Sequence, residues 1–157
     1  MKYLKFFLPA LIIIVLDHIL KLWVHFNMIQ GEEIAIAGSW ARLYYVLNPG
    51  IAYGIKMNFA FGKLILSLIR ILAVGGLGWF IFRLIKRNVH TGLILTLSVI
   101  MGGAVGNMID SVFYGVFLEG NAIYNAPSPW LHGQVIDMLN FPLIESTFPS
   151  WFPFWGG

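Results

Sequence analysis

All three aspartates of the chain, Asp17, Asp110 and Asp137, lie in or beside apolar, membrane-length stretches. A carboxylate near hydrocarbon is costly and is kept mostly where something polar depends on it, so these are the first candidates for chemistry. Asp137 stands among apolar neighbours in Gln134-Val135-Ile136-Asp137-Met138-Leu139, after a proline-rich stretch. Two carboxyls sharing one proton provide an acid and a base, the equipment for activating water against a peptide carbonyl. Gly102-Gly103-Ala104-Val105-Gly106 leads directly into Asn107 and Asp110, which are three apart and so share a helix face at the water boundary. An acid in the last turn opposes the helix dipole, and something else must hold Asp110 there. The plain alternative is that Asn107 and Asp110 only hydrogen-bond to neighbouring helices.

Asp17 and Lys21, spaced i, i+4, can neutralise each other on one helix face, an ion pair whose simplest role is packing. Asn48-Pro49-Gly50 forms a turn with an amide that can donate and accept at once, weak as a signal by itself. Other catalytic kits are thin. There is no cysteine, which excludes disulfides, thiolate metal sites and a thiol nucleophile. The four histidines, His18, His25, His90 and His132, share no metal-ligand spacing, although His18 and His25 lie two helical turns apart on one face. Neither a metal nor another cofactor is expected. Ser67, Ser98 and Ser111 lack an adjacent base, and no phosphate-binding glycine loop occurs.

The elements that must position these groups follow from composition. With 59% hydrophobic and 11% charged residues, the 157-residue chain is too apolar for a soluble surface and reads as a membrane protein. Its net charge of +3 is dispersed at helix ends, which speaks for topology and against nucleic acid. Apolar runs predict spans at about 6–26, 64–84 and 92–110 within a single domain, 1–157. A cleaved signal peptide is the competing reading of the first run, but no small-x-small site follows it. Lys2 and Lys5 before the first span, and Arg83, Lys86 and Arg87 between the second and third, place the N-terminus in the cytoplasm. Segments 27–62 and 111–157 then lie outside. Alternation in Glu33-Ile34-Ala35-Ile36-Ala37 and Arg42-Leu43-Tyr44-Tyr45-Val46-Leu47 predicts a small surface sheet. The prolines and tryptophans after Asp110 predict a tail lying along the outer interface.

Taken in order, Asp17-x-x-x-Lys21, Asn48-x-Gly50, Gly-Gly-Ala-Val-Gly-Asn107-x-x-Asp110 and Val-Ile-Asp137 resemble bacterial lipoprotein signal peptidase, or signal peptidase II, over essentially the entire chain. The 111–133 insertion and the aromatic ending look like versions from the Bacteroidetes. The resemblance implies an all-α membrane bundle of four helices with a β-cradle on the outer surface. It also implies an aspartic endopeptidase of the inner membrane that cuts diacylglyceryl-modified prolipoproteins before their modified cysteine. It is expected to act as a monomer among membrane lipids, with its active site at the outer, periplasmic face. By motif, Asp137 corresponds to the first catalytic aspartate. Asn48, Gly50, Asn107 and Asp110 correspond to residues that shape the site, and Asp17 and Lys21 to a structural pair.

Two departures stand out. Ser111 occupies a position where many members have arginine, and the second catalytic aspartate, in a Phe-Asn-x-Ala-Asp motif opening a fourth span, is absent from the sequence. Either the chain is a fragment, inactive alone, or it is a shortened relative in which Asp110 partners Asp137; the unpaired bundle face favours the fragment. Two competing functions are a channel or transporter subunit, with Asp17, Lys21 and Arg70 along one polar path, and an inactive homologue that still binds lipoprotein precursors.

Overall fold

The computed structural model of the protein describes residues 3–50 and 61–142. The aromatic ending beyond residue 142, the stretch after Gly50 and Lys2 lie outside the described residues. Helix α1 runs Leu4–Asn27, α2 Gly62–Lys86 and α3 Thr91–Ile109. The winding of α3 continues through a π-helical turn, Asp110–Tyr114, to Phe117. All three helices are long and apolar enough to cross a membrane. Their outward faces carry exposed Leu11, Ile12, Leu72 and Ile100, as expected of surface that meets hydrocarbon rather than water.

Without a hydrophobic drive between helices in lipid, close approach depends on small residues. Gly102 and Gly106 put the α3 backbone against α1: a Cβ at Gly102 would lie 2.8 Å from Ile13, and one at Gly106 would overlap the Asp17 carboxylate. Pro9 interrupts the ladder of α1, and the next amide, Ala10, donates across the interface to Ser98 Oγ at 3.3 Å. One core, formed by Phe6, Ala10, Ile81, Ile85, Ile94 and Met101, joins the ends of the three helices near the α2–α3 connection.

The other end carries an antiparallel sheet in the order β1 (Glu33–Ala37), β2 (Ala41–Asn48), β3 (Val135–Asn140). The first two strands follow the alternation of the sequence. The third comes from the tail, and it places Asp137 opposite Val46 and Val135 opposite Asn48. Alternation then sends Ile136 and Met138 into a second core with Val24, Met28, Tyr45, Tyr114 and Leu118, and turns Asp137 to the open face. The connection from Leu118 to β3 is built rather than loose. Buried Asn121 accepts from Gln134 N at 2.8 Å and donates to Gln134 O at 3.1 Å, and the Gln134 side chain returns a bond to Asn121 O at 3.1 Å.

Candidate active site

Asn48, at the end of β2, uses both ends of its amide. Nδ2 donates to Asp137 Oδ2 at 2.8 Å and Oδ1 accepts from Gly50 N at 2.8 Å. The turn works because Gly50 has φ +105°, a backbone conformation open to glycine, and because Leu66 packs where a side chain would begin. Asp137 thus stands on the exposed face of β3, held by a neighbour 89 residues away in sequence. It lines a cleft of about 320 Å³ together with Asp17, Lys21, Asn107, Ile136, Met138 and Leu139.

Behind the strand, charge is gathered from two helices. Lys21 Nζ lies 2.7 Å from Asp17 Oδ2, 2.7 Å from Asp110 Oδ2 and 3.2 Å from Asn107 Oδ1. Asp110 is wholly buried, and its Oδ2 also accepts the Ile136 amide at 3.3 Å. Since Ile136 precedes Asp137, this bond fixes the strand that presents Asp137. Asp110 and Asp137 are therefore joined through backbone, not side by side as a proton-sharing pair. His18 closes the network, its Nδ1 sitting 2.6 Å from Tyr114 OH and 3.8 Å from Asp110 Oδ1. Asp17, His18 and Asp110 bring ligand-type atoms within 4.8 Å of one another, a convergence that sequence spacing does not show. The Lys21 ammonium between the two carboxylates already occupies the place a cation would take.

The π turn starts at Asp110, and such turns recur at functional sites because they re-aim the residues after them. Here it swings Ser111 inward, fully buried, to donate to Asn107 O at 2.9 Å and to accept from Arg70 Nη1 on α2. Gly115 and Gly133 let the returning tail lie directly on this turn, with Gly133 N donating to Ser111 O at 3.1 Å. In the sequence, Arg70 stands out only as a member of a polar path. Its partner is Ser111, not Asp17 or Lys21, and it lines a cavity of about 200 Å³ with Ala73, Val74, Ala104 and Asn107, the last also lining the Asp137 cleft.

An apolar helix bundle capped by a small sheet, with carboxylates collected where the two meet, is the layout of a membrane-embedded enzyme. A solved structure described as a bacterial membrane enzyme, determined by the in meso method, shares this fold with a TM-score of 0.58 at 19% identity, covering 92% of this chain and 74% of its own. The model for signal peptidase (SPase) II matches residues 9–154. The chain is 45% identical over 159 residues to the lipoprotein signal peptidase of Amoebophilus asiaticus, covering 99% of this chain and 67% of that one. It is 43% identical over 155 residues to that of Porphyromonas gingivalis, covering 93% and 67%. The lipoprotein signal peptidase of Chlorobium phaeobacteroides matches at 29% identity, covering 96% and 81%. The chain belongs to the signal peptidase II family of membrane proteases.

Proposed function

We propose that this protein is an aspartic endopeptidase that removes signal peptides from diacylglyceryl-modified prolipoproteins, with Asp137 as a water-activating carboxylate. The observation that carries the reading is Asp137 itself: a carboxylate oriented by Asn48 on the wall of a cleft that also exposes Asn107. A carboxylate so held can take a proton from water as the water attacks a peptide carbonyl carbon, and can return it to the leaving amine nitrogen. Asp110 serves the site differently. Its charge is committed to Lys21 and its hydrogen bonding to Ile136, so it positions β3, and any second carboxyl of a catalytic pair comes from elsewhere.

The orientation belongs to the same reading. Arg83, Lys86 and Arg87 cluster at the α2–α3 connection and mark the cytoplasmic side, which puts the sheet and Asp137 at the outer boundary of the inner membrane. A lipid-anchored peptide arrives there with its acyl chains still in the bilayer. The enzyme would then work as a single-domain monomer, taking the substrate laterally from the lipid.

The channel reading needs Asp17, Lys21 and Arg70 along one path and Asp137 unpaired. Arg70 is bonded to Ser111 rather than to Asp17 or Lys21, and Asp137 is bonded to Asn48, which favours the peptidase. The deciding experiment is Asp137→Asn in the full-length protein, assayed on a diacylglyceryl-modified prolipoprotein. Cleavage should fall by at least about 10²-fold, the scale of a lost general base, with membrane insertion and amount unchanged. Turnover near the unsubstituted rate would remove Asp137 from the mechanism.

A further inference from the structure

The cleft beside Asp137 is walled on one side by four consecutive residues, Ile136 to Leu139. A strand turns alternate side chains to opposite faces, so four in a row meet one cleft where the strand presents its edge. Ile136 and Met138 fit this geometry: their side chains pack into the core beneath the sheet, and what they show the cleft is main chain. Among the described residues β3 is an edge strand, the sheet running β1-β2-β3. The opposite wall comes from Asp17 and Lys21 on α1 and from Asn107 on α3.

In an antiparallel ladder the residues of an edge strand alternate, one turning both main-chain groups to its partner and the next turning both away. Ile136 belongs to the second set, because its amide donates to Asp110 Oδ2 at 3.3 Å and not to β2. Met138 and Asn140 follow at the same period, so their N–H and C=O groups are directed off the sheet beyond the point that Asp110 caps. Proteins usually blunt such an edge with a bulge, a proline or a charge. The far edge, β1, has its register broken between Ala35 and Ala37. The backbone of β3 is regular, since the extra residue in its pairing falls on β2, between Leu43 and Val46. A regular edge facing a cleft is a template for another strand.

We propose that the peptide substrate binds as a fourth strand on the free edge of β3, exchanging main-chain hydrogen bonds with Met138 and carrying its scissile bond past Asp137. The proposal rests on the peptidase reading and adds how the peptide is held. Asp137 lies between the edge positions Ile136 and Met138, its carboxylate held on the open face by Asn48. A strand paired at Met138 runs about 4.8 Å from β3, a gap that a carboxylate and one water bridge. Asn107 lines the other wall, and since its Oδ1 is taken by Lys21 at 3.2 Å, the group it offers the peptide is the Nδ2 donor. Edge pairing draws its affinity from main chain and reads only alternate side chains, so it imposes a period of two along the substrate.

The test uses the full-length protein in detergent micelles and a series of diacylglyceryl-modified peptides in which one amide at a time is replaced by an ester, the scissile bond remaining an amide. Each ester removes one N–H donor. Esters at every second residue of the signal-peptide side should raise KM by about 5-fold, the scale of one hydrogen bond, and those between them by less than about 2-fold. M138P deletes the edge N–H and sets a ring against an incoming strand, in a position where proline is tolerated; it should raise KM and flatten the alternation. Absence of a period of two in the unsubstituted protein overturns the proposal, and so does an alternation that M138P leaves intact. Should M138P fail to fold, L139C decides in this cysteine-free chain: disulfide capture of peptides carrying one added cysteine should alternate with its position, and uniform capture overturns the proposal. A second copy of the chain on this edge would appear as a dimer that M138P separates, and that result also overturns it. D137N divides the two levels: an active D137N removes the peptidase reading, whereas an inactive D137N that binds every ester peptide with equal Kd removes only this proposal.

Discussion

The ammonium of Lys21 on α1 stands 2.7 Å from the buried carboxylate of Asp110, at the start of the π turn that continues α3, although it is equally close to Asp17 on its own helix. The intrahelical spacing is therefore half of a bridge that ties the first span to the third and, through Ile136 N, to the strand bearing Asp137. Removing one partner of a buried pair leaves the other uncompensated, at a cost of about 3–5 kcal/mol. Lys21→Met should destabilise the protein by that order, whereas Lys21→Met combined with Asp110→Asn should regain more than half of the loss. A double-mutant cycle on unfolding in micelles measures the coupling, and simple additivity of the two substitutions would contradict it.

The small residues of α3 are not equivalent. A Cβ at Gly102 would meet Ile13 and the Ala10 carbonyl, at 2.8 and 2.9 Å, whereas one at Gly103 would meet nothing within 4 Å. Gly102→Ala should push α1 and α3 apart and cost about 1–3 kcal/mol as overpacking does. Gly103→Ala should be neutral or slightly stabilising, since alanine is the better helix former. Similar unfolding temperatures for the two variants would mean that the α1–α3 contact is not set by these residues.

The three spans and the β1–β2 hairpin were legible because each is specified by local pattern, a long apolar run or an alternation of apolar and polar residues. The third strand was not. Val135-Ile136-Asp137-Met138-Leu139 reads as a nearly continuous apolar run, and only pairing with β2, far away in sequence, reveals which residues turn inward. For the same reason the bond from Asn48 to Asp137 is invisible to spacing, and the family resemblance brought those residues into one site. The helical winding past Asp110 was obscured by the π turn, which adds a residue and breaks the 3.6 period. Lys63 carries no signal in the sequence, since a lysine at the head of an apolar span resembles an interfacial anchor, and its burial comes only from tertiary packing.

Asn48 offers a test of positioning without a large change in fold. Asn48→Ala removes the donor to Asp137 and the acceptor for Gly50 N, a loss of about 1 kcal/mol per hydrogen bond in stability. The effect on turnover should be larger, about 10²-fold in kcat, because a misplaced reacting group loses that much for a shift on the order of 1 Å. Asn48→Asp should be worse still, since it places a second negative charge against Asp137. Full activity in Asn48→Ala would show that Asp137 needs no orienting partner.

Tyr45 gives a pH dependence outside the spans. Its side chain is buried beneath the sheet, with the hydroxyl 2.7 Å from His25 Nδ1, and burial pushes the phenol above its ordinary value near 10. The folded state therefore holds this proton more tightly than the unfolded state. Its contribution to stability is fully present below about pH 10 and is lost as pH rises toward the folded value, where only the unfolded chain has released the proton. The slope approaches about 1.4 kcal/mol per pH unit at most. Tyr45→Phe should be less stable by about 1 kcal/mol at pH 8, from the lost bond to His25, yet should decline less steeply above pH 10. The two unfolding curves should converge as the solution is made alkaline. Parallel curves would mean that Tyr45 ionises as freely in the folded protein as in the unfolded chain, and that the site beneath the sheet is open to water.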